Sequence, residues 1–380
     1  MIPKGFRFAG VRCGLKNKRN DVGLIVSDRP AAAAGVFTQN LVHASSVDFS
    51  RAAMAGGSLQ AVVVNSGNAN CCTGLQGERD TARMGALAAE RLGVEEGSVA
   101  VASTGVIGKL LDMAKVEKGI ADAANVLGTD PKPFMDAILT TDLVEKEATA
   151  QVGGGVIYGV CKGSGMIAPN MATMLCFIVT DLDVPADALR TSLQNAVADS
   201  FNCLTVDTDT STNDMLVLMA NGASGITPEP AEFERAIAEV CLSLTKQIAK
   251  DGEGATKLVE VFVQGTSDPK RVARTIADSP LVKTAMFGCD PNWGRILAAA
   301  GRAGVRFDPE VARLVLIASG EEHVLYEEGA PAEFDPKRVS TALKSDAVRV
   351  ELDLGPGESA TVYTCDFGYG YVRINAEYHT

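Results

Sequence analysis

Residues 174–179, Met-Leu-Cys-Phe-Ile-Val, form a continuous apolar run closed by Thr180 and Asp181. A run this short, with no polar position along it, reads as a strand buried on both faces. Such a strand must have packed elements on either side. It is fed by Cys161-Lys162-Gly163-Ser164-Gly165-Met166-Ile167-Ala168-Pro169-Asn170-Met171-Ala172-Thr173, rich in small residues, with one cation and one proline. A hydroxyl, that of Thr173, therefore stands at the entrance to a buried strand, beside a flexible loop that carries Lys162. Thr173 is a candidate nucleophile exposed by a cut before it. The plainer reading is a threonine that only packs or hydrogen-bonds at a strand start.

A chain of 380 residues is long enough for two domains or one large α/β unit. Further short buried-strand candidates are residues 22–26, 61–64, 99–102 and 258–263. Residues 152–160 read as one strand broken by glycines, a pattern that often marks close approach of a backbone or ligand. Helical spacing appears at 78–92, stopped by Gly93, and at 130–139, entered through Pro131. It recurs at 185–200 with Leu189, Leu193 and Val197 on one face. The longest helix is 231–250, with Phe233, Ile237, Val240, Leu244 and Ile248 on its buried face. Residues 269–277 and 294–301 are shorter helices. Residues 311–375 return to strands, and the last of these, from Tyr371 onward, runs to the end of the chain.

Charge and residue usage exclude several roles. The net charge is -12 with no basic block, which argues against nucleic acid or an anionic membrane as partner. Aromatics are only 5% of the chain, so stacking platforms for single strands are not expected. The nine cysteines are an odd number without a Cys-x-x-Cys pair, which fits a reducing cytoplasm rather than a disulfide framework. Cys176, Cys203 and Cys241 read as buried fillers. No apolar run is long enough to span a bilayer, and no secretory leader is read at the N-terminus. Only three histidines occur, at 43, 323 and 379, so a histidine-built metal site is nearly excluded and an acyl-transfer base need not be imidazole.

Other motifs are individually weak. Asn65-Ser66-Gly67-Asn68-Ala69-Asn70 is a turn-rich loop after a strand. Ser103-Thr104-Gly105 follows another, and Gly105 would let backbone N–H groups turn toward an anion, although Ser/Thr-Gly after a strand is usually a turn. Ala102 stands where a Walker loop needs its first glycine. Asp207, Asp209, Ser211 and Asn213 mimic the start of a calcium loop. Thr212 and Leu218 replace its glycine and bidentate glutamate, so a polar, hydrogen-bonded turn is the better reading. Glu253, between Gly252 and Gly254, puts a carboxylate on a tight bend that could bind an amino group. Ser267 and Lys270 make a chance Ser-x-x-Lys match.

Together, Asn65 to Asn70, Ser103 to Gly108, Thr140-Thr141-Asp142, Lys162 to Leu175, Ser200 to Asp214, Asp251 to Lys257, Asp290 to Arg295 and Asn375 to Thr380 resemble the ornithine acetyltransferase (glutamate N-acetyltransferase) family of arginine biosynthesis. The eight stretches stand in order over essentially the whole chain. The resemblance implies a layered sheet-and-helix α/β (α+β) sandwich of the self-cleaving, N-terminal-nucleophile-like type. It implies autoproteolysis between Ala172 and Thr173, giving an α chain 1–172 and a β chain 173–380 that fold as one unit, in an α₂β₂ assembly. It implies an acetyl-Thr173 enzyme that moves acetyl from N2-acetyl-L-ornithine to L-glutamate. Thr104 and Gly105 would form the oxyanion hole. Substrate would be held by Lys162, Thr173, Glu253, Asn375 and Thr380, with Thr140 or Thr141. No metal or cofactor is implied, and acetyl-CoA enters only as an optional second donor. A new N-terminal threonine carries its own base, an amine of pKa about 7.7–8.0, which accounts for the scarcity of histidine. The rival readings are an N-terminal-nucleophile amidohydrolase or aminopeptidase that passes its acyl group to water, and a binding protein in which Thr173 is structural.

Overall fold

The run after Thr173 is a central strand, Leu175–Thr180, with every residue buried. The structure is a computed structural model and describes residues 1–168 and 174–377. In chain order the strands are β1 (Phe6–Val11), β2 (Val22–Phe37), β3 (Ser58–Asn68), β4 (Val99–Val106), β5 (Lys146–Val152), β6 (Gly155–Lys162), β7 (Leu175–Thr180), β8 (Met215–Ala220), β9 (Leu258–Gln264), β10 (Arg313–Ala318), β11 (Glu321–Glu327), β12 (Ala330–Pro331), β13 (Ala347–Asp353) and β14 (Ser359–Cys365). The helices are α1 (Ser45–Ala53), α2 (Gly74–Leu92), α3 (Met113–Asn125), α4 (Lys132–Ile138), α5 (Ala186–Ala198), α6 (Pro230–Lys250), α7 (Pro269–Ala277), α8 (Pro280–Phe287), α9 (Trp293–Gly301), α10 (Pro336–Ala342) and α11 (Tyr369–Glu377).

The larger sheet runs β4-β3-β2-β8-β7-β6-β5, with β1 also paired to β2. Its hinge is β2. Pairing with β3 becomes irregular between Val26 and Ala31, and the far half of β2 pairs with β8. The two sheet halves enclose one apolar core that includes Phe8, Ile25, Val62, Phe134, Tyr158, Phe177 and Met219. Phe134 and Phe177 meet edge to face at 5.4 Å, a contact that contributes about 0.5–1.5 kcal/mol beyond its buried area. Alternate residues of the same strands point outward. Leu24, Val63 and Val101 pack with Met84 of α2 and Ile120 of α3. Cys176, Ile178 and Leu218 pack with Leu189 of α5 and Val240 and Leu244 of α6. Both faces of β7 are thus covered, as its uniform apolarity requires, and the layers read α/β/β/α. A smaller sheet, β12-β11-β10-β13-β9-β14, builds its own core with α7, α9 and α10 around Val261, Ile276, Ile296, Leu316, Val339 and Val350. The fold is a layered α/β sandwich.

Several expectations need correction. Residues 152–160 are not one broken strand but a hairpin. Gly153 and Gly154, at φ 58° and 94°, make the turn between β5 and β6, with Val152 opposite Gly155. The C-terminal segment is not a strand. Residues 369–377 form α11, and Asn375 Nδ2 donates to Tyr371 O one turn earlier at 3.1 Å. The β-branched character of Val372 and Ile374 gives way to packing at the helix start, where Gly370 meets Gly254. Strands β3 and β4 run on through residues first read as turns, and α2 begins four residues earlier than its apolar spacing suggests. Helices α1, α3, α8 and α10 stand where the sequence reading expects none, although α8 and α10 are each introduced by a cap followed by proline, Ser279-Pro280 and Asp335-Pro336. Cys176, Cys203 and Cys241 are buried, as read from their neighbours.

Candidate active site

Register brings the site together at one end of the larger sheet. Lys162 closes β6 opposite Leu175 at the start of β7, and Leu175 lies beside Met215 at the start of β8. Across the inner core, the parallel pair β3 and β4 ends at Asn68 and Val106. Here the pairing shifts register at Gly67 and Asn68. The shift lets the two backbones approach so closely that a Cβ on Gly105, which sits at φ 132°, would lie 2.4 Å from Gly67 C. Only glycine fits there. The polar residues below fix these strand ends. Ser103 donates to Asn65 at 2.6 Å, and Asn213 donates to the carbonyls of Ala69 and Ser103 at 2.7 and 2.8 Å.

The cleft over these ends is lined by Thr104, Gly105, Thr140, Thr141, Lys162, Asp207, Asn213, Glu253, Tyr371 and Asn375, among others. Of the residues expected to act, Thr104, Gly105, Thr140, Thr141, Lys162, Glu253 and Asn375 therefore share one cavity. Ala172, Thr173 and Thr380 lie outside the described residues. The chain flanking the first two is anchored at the cleft. Ile167 O accepts from Val206 N at 2.8 Å, and Met174 N–H donates to Asp214 Oδ1 at 3.0 Å.

Lys162 Nζ donates to Thr104 Oγ1 at 3.5 Å, with both residues buried. Burial holds the Lys162 ammonium below the usual lysine range, with Lys146 adding to that. Asp142, Asp214 and Glu253 pull the other way. Asp214 is fully buried, and burial pushes its carboxyl well above the usual range. Glu253 accepts from Asn375 Nδ2 at 2.7 Å, while its own N–H donates to Ser164 O at 2.8 Å. Gly254, at φ 70°, permits this arrangement, because a Cβ there would lie 2.3 Å from Tyr371 N. The α11 helix can then bring Asn375 to Glu253 and Tyr371 OH to Asp207 Oδ2 at 3.2 Å. Asp207 also accepts from Met166 N and Ile167 N, at 2.6 and 2.8 Å, yet burial still raises its pKa. Thr141 Oγ1 pairs with Ser164 Oγ at 2.8 Å, whereas no described side chain takes the Thr140 hydroxyl.

Asp207 and Asn213 line the cleft, Asp214 holds Met174 N–H beside it, and Tyr371 lines the cleft too, yet the sequence read residue by residue gives none of them a role. The first three belong to the polar turn that resembles a calcium loop. Its density of carboxylates and amides was the available signal. Among the described residues no group of His, Cys, Asp and Glu is placed to hold a metal, and no helix is long and apolar enough to cross a membrane.

Residues 7–380 match the ArgJ family. The arginine biosynthesis bifunctional protein ArgJ of Thermus thermophilus is 49% identical over 387 aligned positions, covering 100% of this chain and 99% of that protein. The ArgJ protein of Thermotoga neapolitana is 43% identical, covering 100% of both. Among solved structures, the bifunctional ArgJ protein of Bacillus halodurans is 44% identical, covering 45% of this chain and 92% of the solved one, with a TM-score of 0.42. The ornithine acetyltransferase of Mycobacterium tuberculosis, solved with ornithine, is 35% identical over 46% of this chain and 94% of the solved one, with a TM-score of 0.41. The match to the family and to its full-length members covers all eight sequence stretches and every residue of the cleft, and the chain belongs to the ArgJ family.

Proposed function

We propose that this enzyme transfers acetyl from N2-acetyl-L-ornithine to L-glutamate through an acetyl-Thr173 intermediate, after cutting itself between Ala172 and Thr173. The observation that carries this reading is the single cleft in which Thr104, Gly105, Lys162, Glu253 and Asn375 converge although they are scattered along the chain. Its lining holds one ammonium, Lys162, and the carboxylates Asp207, Asp209 and Glu253. That charge pattern suits a ligand with a carboxylate at one end and amines elsewhere.

In the precursor, Thr173 Oγ attacks the Ala172 carbonyl carbon. The C–N bond breaks, the acyl group passes to oxygen, and the amine of Thr173 takes up the proton. Water then hydrolyses the ester, giving the carboxylate of Ala172 and a free Thr173. In the mature enzyme the α-amine of Thr173 accepts the hydroxyl proton as Oγ adds to the acetyl carbonyl of acetylornithine. The oxyanion is held by Thr104 Oγ1–H and Gly105 N–H. Lys162 Nζ, 3.5 Å from Thr104 Oγ1, fixes that hydroxyl as an acceptor from the ammonium, so its own proton points away toward the oxyanion. Collapse expels ornithine, which leaves with the proton from the Thr173 ammonium. The amine of glutamate then takes the acetyl group by the same steps in reverse. Glu253, oriented by Asn375, receives an amino group of either substrate. Thr140, whose hydroxyl no described side chain takes, is the better candidate of the threonine pair for substrate contact. Tyr371 and Asp207 close the same wall.

This route uses no cofactor and no metal. Acetyl-CoA as a second acetyl donor for glutamate, and an α₂β₂ assembly of chains 1–172 and 173–380, complete the proposal. The test is initial-rate kinetics with both amino acids varied. Parallel double-reciprocal lines and trapping of acetyl on Thr173 are expected, with Thr173→Ala uncut and inactive. Acetate release that does not depend on glutamate would instead favour the amidohydrolase reading. Repeating the assay with acetyl-CoA and glutamate alone decides the second donor.

A further inference from the structure

Lys146 is not among the described residues that line the cleft, yet it is wholly buried between two carboxylates. Its Nζ lies 2.8 Å from Asp142 Oδ1 and 2.5 Å from Asp251 Oδ2. A buried ion pair seldom adds net stability over an apolar replacement, so stability alone does not explain it. The two carboxylates reach further. Asp142 Oδ2 accepts the N–H of Thr140 at 3.0 Å, and Asp142 Oδ1 accepts that of Gly163 at 2.6 Å. Asp251 Oδ2 accepts the N–H of Leu143 at 3.1 Å. Asp251 stands two residues before Glu253, whose N–H bonds Ser164 O, and Ser164 Oγ bonds Thr141 Oγ1. The segments that carry Thr140, Lys162 and Glu253 are thereby joined in a closed ring through one ammonium.

We propose that Lys146, with Asp142 and Asp251, is a positioning unit that sets the spacing of the substrate-holding side chains Thr140, Lys162 and Glu253. None of the three needs to touch substrate. The unit rests on the acetyl-transfer reading only for its kinetic consequence; the ring of bonds stands without it. Asp142 also lends its negative charge to Lys162, which faces Lys146 as a like charge and Glu253 as an opposite one. Loss of the unit therefore disturbs both the place and the charge balance of the cleft cation.

The test compares Asp142→Asn and Asp251→Asn with Val240→Ala, a core change on α6 that lowers stability without touching the ring. In the purified, full-length protein, both asparagine variants should still be cut. Their KM for acetylornithine should rise about tenfold or more, the scale of one lost charged hydrogen bond, with kcat changed less. Asp251→Glu, which keeps the charge, should recover part of that loss. Val240→Ala should lower Tm and leave KM in place. Deuterium uptake in peptides spanning 140–146 and 162–166 gives a readout independent of activity, and it should quicken in Asp251→Asn but not in Val240→Ala. Should Asp142→Asn not fold, Asp251→Asn still reads the unit, because it leaves the acceptor of Thr140 and Gly163 intact. Unchanged KM and unchanged uptake in a folded asparagine variant, or changes no larger than those of Val240→Ala, would overturn the proposal. Absence of acetyl transfer in the wild-type protein, together with uptake that quickens in Asp251→Asn but not in Val240→Ala, would instead overturn the functional reading and leave the positioning unit standing.

Discussion

Gly105→Ala puts the proposed oxyanion hole under the sharpest strain. The added Cβ would lie 2.4 Å from Gly67 C and 2.5 Å from Asn68 N, both backbone atoms of the neighbouring strand. Non-bonded carbon atoms rest at about 3.5–4.0 Å, so the two strand ends must part by about 1 Å. The backbone is also held at φ 132°, which a side chain rarely adopts. A misplacement of about 1 Å can cost about 10²-fold in rate, and loss of one oxyanion donor costs about 10²–10³-fold. The two estimates agree, and kcat for acetyl transfer should fall by about 10²–10³-fold. Gly108→Ala is the control. Gly108 also has positive φ, 77°, but a Cβ there meets nothing within 4 Å. It should cost about 1–2 kcal/mol of stability and leave kcat within about threefold. Steady-state transfer and thermal melts on both variants read the two effects separately. A Gly105→Ala enzyme with near wild-type kcat would refute the assignment of its N–H to the reacting oxygen.

Thr104→Ala removes the hydroxyl beside Lys162 and should leave a slow enzyme, lower in kcat by about 10²–10³-fold, with KM changed little in initial-rate assays. Gly254→Ala should displace α11 through the 2.3 Å clash with Tyr371 N. It should raise KM more than it lowers kcat, because Asn375 would lose Glu253. Asp142 has its pKa below the usual range; burial opposes this, and Lys146 and Lys162 outweigh it. Its contribution to stability is thus fully present above the unfolded value of about 3.9 and is lost as pH falls below it. Between about pH 4 and pH 2 the wild-type melting temperature should fall more steeply than that of Asp142→Asn.

The β7 run was legible because a strand covered on both faces leaves no polar position in its sequence. The amphipathic stripe of α6 was legible for the converse reason. Residues 152–160 misled because two adjacent glycines weaken a strand and make a hairpin turn equally well, and only pairing partners decide between them. The end of the chain misled because Tyr371, Val372 and Ile374 favour a strand locally, while the reward for a helix comes from Asp207 and Glu253, more than a hundred residues away. The same holds for the site. Thr104, Gly105 and Glu253 carried local signals, a glycine after a strand and a carboxylate between glycines. Asp142 stood in a family stretch without a chemical signal of its own and Lys146 carried none, since their importance lies in a partner, Asp251, that only the tertiary fold brings within reach.

The central claim is that a threonine gains its proton acceptor when the chain is cut beside it. Intact mass and N-terminal sequencing of the purified, active enzyme measure this directly. Two polypeptides are expected, the second beginning Thr173-Met174-Leu175, with masses that sum to the precursor plus one water. A single unbroken chain with full acetyl-transfer activity would contradict the account.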